Sequence, residues 1–180
     1  MPYLFCKFLK IFSLALFLFA VAGCNSGEKA VEKEYDNYKF DQQVIDKLPL
    51  YDSLVATIIA NFPSFDKFIK EKDSYRAFRY RPASEDPDVF IKLPPAAEPK
   101  ITPYYNRIGK DLIYGFDVFK DSSVKIYVRA RLTAGSEVDI VENLSYYSKG
   151  NIRNRVFPEK DTALNTNWQY WTWFGKRGLF

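Results

Sequence analysis

Glu142 shares one strand face with Val138, Ile140, Leu144 and Tyr146 in the alternating run VDIVENLSY. An ionised carboxylate on an apolar face costs several kcal/mol unless it is paired. Glu142 is therefore paired or rim-exposed, or it lines a wet pocket as an acid of raised pKa. A bulge near Val141 would turn it outward, at the cost of exposing Leu144 and Tyr146. Two other groups of side chains could bind something. Arg129 and Arg131, with Lys125 and Tyr127, form a basic strip on the opposite face of their strand, and Arg76, Arg79 and Arg81 add a second cluster. Trp168, Tyr170, Trp171 and Trp173 crowd into WQYWTWF. One face of that segment is core. The other, Trp171 and Trp173, is covered by the N-terminal helices or exposed as a platform for a glycan or protein.

Composition removes most other chemistry. The 180 residues include no histidine, two cysteines and one methionine, Met1. A Ser-His-Asp or Cys-His relay and a zinc site with imidazole ligands are excluded. No Gly-rich phosphate loop, EF-hand or Asp-rich metal pattern occurs, so neither metal nor cofactor is expected. Carboxylate-only hydrolysis needs two acids at a set separation, and nothing selects a pair among the 22 acidic residues. A non-enzymatic role is expected. Residues 99–180 carry 13 basic and 8 acidic residues, against 11 and 14 in residues 24–98. Asp117 and Asp139 interrupt the basic strip, which marks a solvated sheet face. Contact with anionic headgroups or a glycan is the lesser reading, and no nucleic-acid partner is expected.

The first 24 residues look like an address. Lys7 and Lys10 precede Ile11–Ala22 (IFSLALFLFAVA), an uncharged apolar run. Its length suits a signal-peptide core and falls short of the roughly 20 residues a spanning helix needs. It ends in Val21-Ala22-Gly23-Cys24, which resembles the lipobox of bacterial lipoproteins. The resemblance covers residues 1–24 alone. It implies removal of residues 1–23 and acylation of Cys24, which would hold the chain on a membrane through lipid. Asn25 stands where an Asp would mark inner-membrane retention in some lipoproteins, which favours the outer membrane. The expected location is the bacterial cell envelope, with a protein partner there. Cleavage leaves 157 of the 180 residues with 24 basic and 22 acidic side chains. The one cysteine left would carry lipid, so packing alone must hold the domain together.

The remainder reads as one domain, residues 38–180, behind a charged stretch, 24–37, expected as a flexible tether or a short helical extension. Helical spacing runs through residues 39–73, interrupted at Pro49 and Pro63. Tyr75–Arg81 could be a strand. Six prolines in 82–103 suggest a long irregular connection, its own rigid loop rather than a ligand for a partner's groove. A meander over 111–147 follows, with even-numbered apolar positions in all three strands. Shared parity requires odd loops, and Asp121–Ser123 and Ala134–Ser136 supply them. The resulting register sets Val118 opposite Ile126, Leu132 opposite Val138 and Arg131 opposite Asp139. Residues 148–164 look like polar loop, and Trp168–Phe174 like a final strand beside the meander. The expected class is α+β: N-terminal helices on one face of a curved antiparallel sheet of four or five strands. The order resembles the nuclear-transport-factor-2-like and cystatin-like folds, a likeness that implies no function.

Overall fold

Residues 28–37 form helix α1, and Asp41 starts the short helix that follows it. Its Oδ1 accepts the Gln43 N–H at 2.7 Å, capping α2, Gln42–Asp46. Pro49 lies in the first turn of α3, Leu48–Ala60, where its missing N–H costs nothing. Pro63 does the same for α4, Phe62–Asp66. The buried stripe of α3 is Tyr51, Leu54, Val55 and Ile58, at helical spacing. A further helix, α5, spans Glu98–Ile108 and packs on α3. Lys47 Nζ donates to the Ile108 carbonyl at 2.7 Å, tying the C-terminus of α5 to the start of α3. The structure, a computed structural model, describes residues 28–69, 77–131, 138–150, 152 and 155–176.

Six strands are present among the described residues: β1 Ala77–Tyr80, β2 Gly115–Phe119, β3 Val124–Arg131, β4 Val138–Tyr146, β5 Glu159–Ala163 and β6 Trp168–Lys176. They form one antiparallel sheet in the order β1-β2-β3-β4-β6-β5. Phe78, Phe116, Val118, Val124, Ile126, Leu144, Trp168 and Tyr170 join the helical residues in the main core. The α+β class holds, with six strands rather than four or five. The added one is β5, in a stretch expected as loop. Among the described residues no helix is long and apolar enough to cross a membrane.

Several expectations need correction. The helical alternative for the tether is the one adopted at residues 28–37, here α1. Its Val31 packs with Val138, Ile140 and Phe174 in a second apolar cluster, flanked by Tyr35 and Tyr38. The proline-rich connection ends early, because Pro99 falls in the first turn of α5 and Pro103 is tolerated inside it. The β2–β3 loop has odd length as required but sits one residue earlier. Val118 opposes Val124 and Phe116 opposes Ile126, while Ser122 takes the left-handed conformation at φ 63°. In the β3–β4 pair the expected register holds from Val124↔Tyr146 to Tyr127↔Asn143. A bulge at Val128 then shifts it, so that Arg129 opposes Glu142 and Arg131 opposes Ile140 rather than Asp139. Cys24, the signal segment, Leu132 and the loop at 134–136 lie outside the described residues.

Candidate functional site

The bulge decides where Arg129 points. Val128 faces the core, and the extra residue turns Arg129 to the helix side as well, out of the expected outer strip. There its Nε lies 3.2 Å from Glu142 Oε2, and Nη2 pairs with Asp41. Tyr170 donates its hydroxyl to the same Glu142 oxygen at 2.5 Å. Glu142 is 0 % exposed. It lies along β4 between Ile140 of the second apolar cluster and Leu144 of the main core. Glu142 therefore has the cationic partner its position demands. Burial first, then Tyr38 and the carboxylate, push the Tyr170 hydroxyl well above its usual range. Asp41 caps α2 while meeting Arg129, so this network docks a helix onto the sheet.

The outer face is built differently. Arg81 Nη2 donates to Asp117 Oδ1 at 2.9 Å, and Tyr127 donates its hydroxyl to Asp117 Oδ2 at 2.9 Å. The Arg81 guanidinium carbon lies 3.6 Å from the Tyr127 ring centre. Lys125 Nζ comes next, 4.3 Å from the Tyr127 ring and 4.6 Å from the Trp171 ring. Arg155 completes the row, its guanidinium carbon 3.5 Å from the Trp171 centre. Three cations and two rings thus alternate across β2, β3, β4 and β6, a cation–π series. Gly115 makes room for it: a Cβ there would lie 2.4 Å from the Tyr80 carbonyl oxygen and 2.5 Å from Arg81 Cδ.

Trp171 therefore takes neither of the two expected settings. It is on the face away from the helices, yet only 6 % exposed, because Arg155 covers it. Its Nε1 donates to Ser145 Oγ at 2.9 Å. Arg155 is held in turn by Glu159, Nη1 to Oε2 at 2.7 Å. Trp173 is half-buried, opposite Val141 and Glu159. For Arg131 the backbone position in β3 is what the structure places.

A groove of about 470 Å³ opens beside this row. Lys125, Lys149 and Arg155 bring three cations to it, Asp121 one carboxylate, and Ser123, Ser145 and Ser148 hydroxyls. Asp121 is engaged in its own turn, accepting the Ser123 N–H at 2.9 Å. Burial between the rings is the main force on Lys125 and pulls its pKa down to about 8, with Arg81 and Arg155 acting the same way and Asp117 opposing. Lys125 and Arg155 belong to this site; the sequence pattern marks Lys125 as part of a solvated strip and gives no signal for Arg155. Among the described residues no cluster of three or more His, Cys, Asp or Glu could hold a metal ion.

No family model, curated protein or solved structure matches this chain.

Proposed function

We propose that the protein is a lipid-anchored component of a bacterial cell envelope, held at Cys24 and favouring the outer membrane, and acts as a non-enzymatic binding or accessory subunit of a membrane assembly. In this reading the outer-face groove receives an acidic segment of a protein partner. The observation that carries it is the lining of that groove, which brings Lys125, Lys149 and Arg155 together with one lining carboxylate, Asp121, while Arg155 also meets Glu159 beside it. Charge complementarity of this kind sets partner choice and encounter rate more than raw affinity. The anchor rests on Lys7, Lys10, the run Ile11–Ala22 and Val21–Cys24.

Two other readings have less support. A small-ligand pocket built on Glu142 needs an accessible carboxylate, and Glu142 is enclosed by Tyr170 and Arg129. A hydrolase needs two acids facing across a cleft. Asp41 and Glu142 instead converge on one guanidinium.

Crosslinking in intact membranes tests the reading. A photo-crosslinker at Ser148, on the groove wall, is expected to capture a defined partner in wild type. Lys149→Glu, a surface change, is expected to abolish capture without altering the fold. Capture unchanged by that charge reversal refutes the groove, and an unmodified Cys24 peptide from the membrane fraction refutes the anchor.

A further inference from the structure

The segment entering β5 carries an apolar tip. Val156 is 78 % exposed and Phe157 49 %. Ile91 is the other exposed large hydrophobic among the described residues. Adjacent exposed apolar side chains on a loop mark an interaction surface more often than isolated ones do.

The tip is tied to α1. The Phe157 and Tyr35 rings meet edge to face with centres 5.5 Å apart. Lys160, just inside β5, donates through Nζ to the Tyr35 carbonyl at 2.8 Å and to that of Tyr38 at 3.2 Å. Pro158 accepts the Phe174 N–H at 3.0 Å, fixing the loop to β6. Behind the tip, Tyr147, Arg155 and Trp173 help line a concavity of about 490 Å³.

Chain length limits how far this surface can be from Cys24. Residues 24 to 28 span at most about 14 Å fully extended. Residues 28 to 35 of the helix add about 10 Å. Adding the Tyr35 side chain and the ring contact, the tip lies within roughly 35 Å of the acylated residue, which raises the local concentration of the leaflet around it. Residues 28–37 carry Glu28, Glu32, Glu34 and Asp36 against Lys29 and Lys33. That helix supplies no attraction to an anionic surface, and the cations beside the tip are engaged, Arg155 with Glu159 and Lys160 with the Tyr35 and Tyr38 carbonyls, so the driving force is burial of apolar surface.

We propose that Val156 and Phe157 form a second membrane contact, dipping into the headgroup–acyl boundary of the leaflet that holds the lipid on Cys24. This rests on the Cys24 reading given above. Two-point attachment would fix the orientation of the domain on the membrane instead of leaving it to swing from one anchor.

The test uses the full chain, processed in a bacterial host and reconstituted into vesicles containing brominated lipid. Phe157→Cys and Val156→Cys each provide a thiol for a fluorescent label once Cys24 is acylated, and Ile91→Cys serves as the comparison site. Val156 is exposed enough that its replacement leaves the core untouched. Quenching at 156 and 157 at least about threefold above that at 91, and unchanged in 0.5 M salt, is the expected result for apolar insertion. Equal quenching at all three sites in acylated protein overturns the contact. So does shielding of 157 with crosslinks to a second copy or another protein and no lipid quenching. An intact mass lacking acyl groups overturns the anchor, and the contact with it.

Discussion

Removing the guanidinium of Arg129 should cost more than any surface substitution in this protein. Arg129→Ala leaves Glu142, fully buried, with its Tyr170 hydrogen bond but without the charge 3.2 Å away. It also removes the partner that couples Asp41, and so the start of α2, to the sheet. Breaking a buried pair from one side typically costs about 3–5 kcal/mol, a large fraction of a domain's total of roughly 5–15 kcal/mol. With a urea m-value of about 2 kcal/mol/M, the unfolding midpoint should fall by about 2 M. The assay is an equilibrium urea titration at pH 7 followed by tryptophan fluorescence, since all three tryptophans lie in β6. The combined variant Arg129→Met, Glu142→Leu, Tyr170→Phe removes the buried pair and the hydroxyl bonded to it, and leaves Asp41, 18 % exposed, as the cap of α2. It should recover at least half of the loss, because a buried ion pair exchanged for apolar groups is close to neutral. A loss below about 1 kcal/mol for Arg129→Ala, or no recovery in the triple variant, would refute the bulge-directed pairing.

Gly115→Ala brings a Cβ against the Tyr80 carbonyl and should destabilise by about 1–3 kcal/mol, read as a lower thermal midpoint. Gly175→Ala is blocked by the Trp173 ring, 1.5 Å from the added carbon, so Trp173 must leave its site, and the indole emission should red-shift. Lys125 is held below its unfolded value of 10.5, at about 8, so the unfolded chain binds the extra proton between these pH values and stability rises across them. The rise should approach 2–3 kcal/mol, at about 1.4 kcal/mol per pKa unit, and be absent in Lys125→Met. It is best measured below pH 10, because Tyr51, Tyr105, Tyr127 and Tyr170 are raised by burial and destabilise the fold above that point.

Alternation made β2, β3 and β4 legible, since each has one buried apolar face and hairpin parity links them. The bulge at Val128 was not legible from β3 alone, where VKIYVRAR alternates without a break. Its signal lay in the partner strand: Glu142 demanded a cation, and Arg129 was one register step away. Helix α5 was hidden by its prolines, although Pro99 costs nothing in a first turn. Edge strand β5, EKDTA, shows no apolar alternation because neither of its faces is deeply buried. Residues 28–37 offer only Ala30, Val31 and Tyr35 as an apolar stripe among charges, too little to distinguish a packed helix from a tether. The Arg155 cover on Trp171 was invisible for another reason: ring–cation stacking between distant segments leaves no period in a sequence.

Arg129 and Lys125, on opposite faces of the sheet, are held in ways that differ in consequence. Arg129 is locked between two carboxylates, so a visiting anion would have to displace one of them. Lys125 lies between ring faces, which attract a cation without replacing the water it loses, and its pKa falls to about 8. A carboxylate arriving in the groove would restore favourable interaction with the charged form and raise that pKa, so binding takes up a proton near pH 8. Affinity for an acidic segment should then weaken as pH rises through 8. The worked limit is about tenfold for each unit by which the bound lysine's pKa exceeds that of the free one. Fluorescence anisotropy of a labelled oligoglutamate peptide, measured at pH 7 and pH 9.5, gives the comparison. Affinity that does not change with pH, or a pH dependence that survives in Lys125→Met, would show that the groove does not work through this lysine.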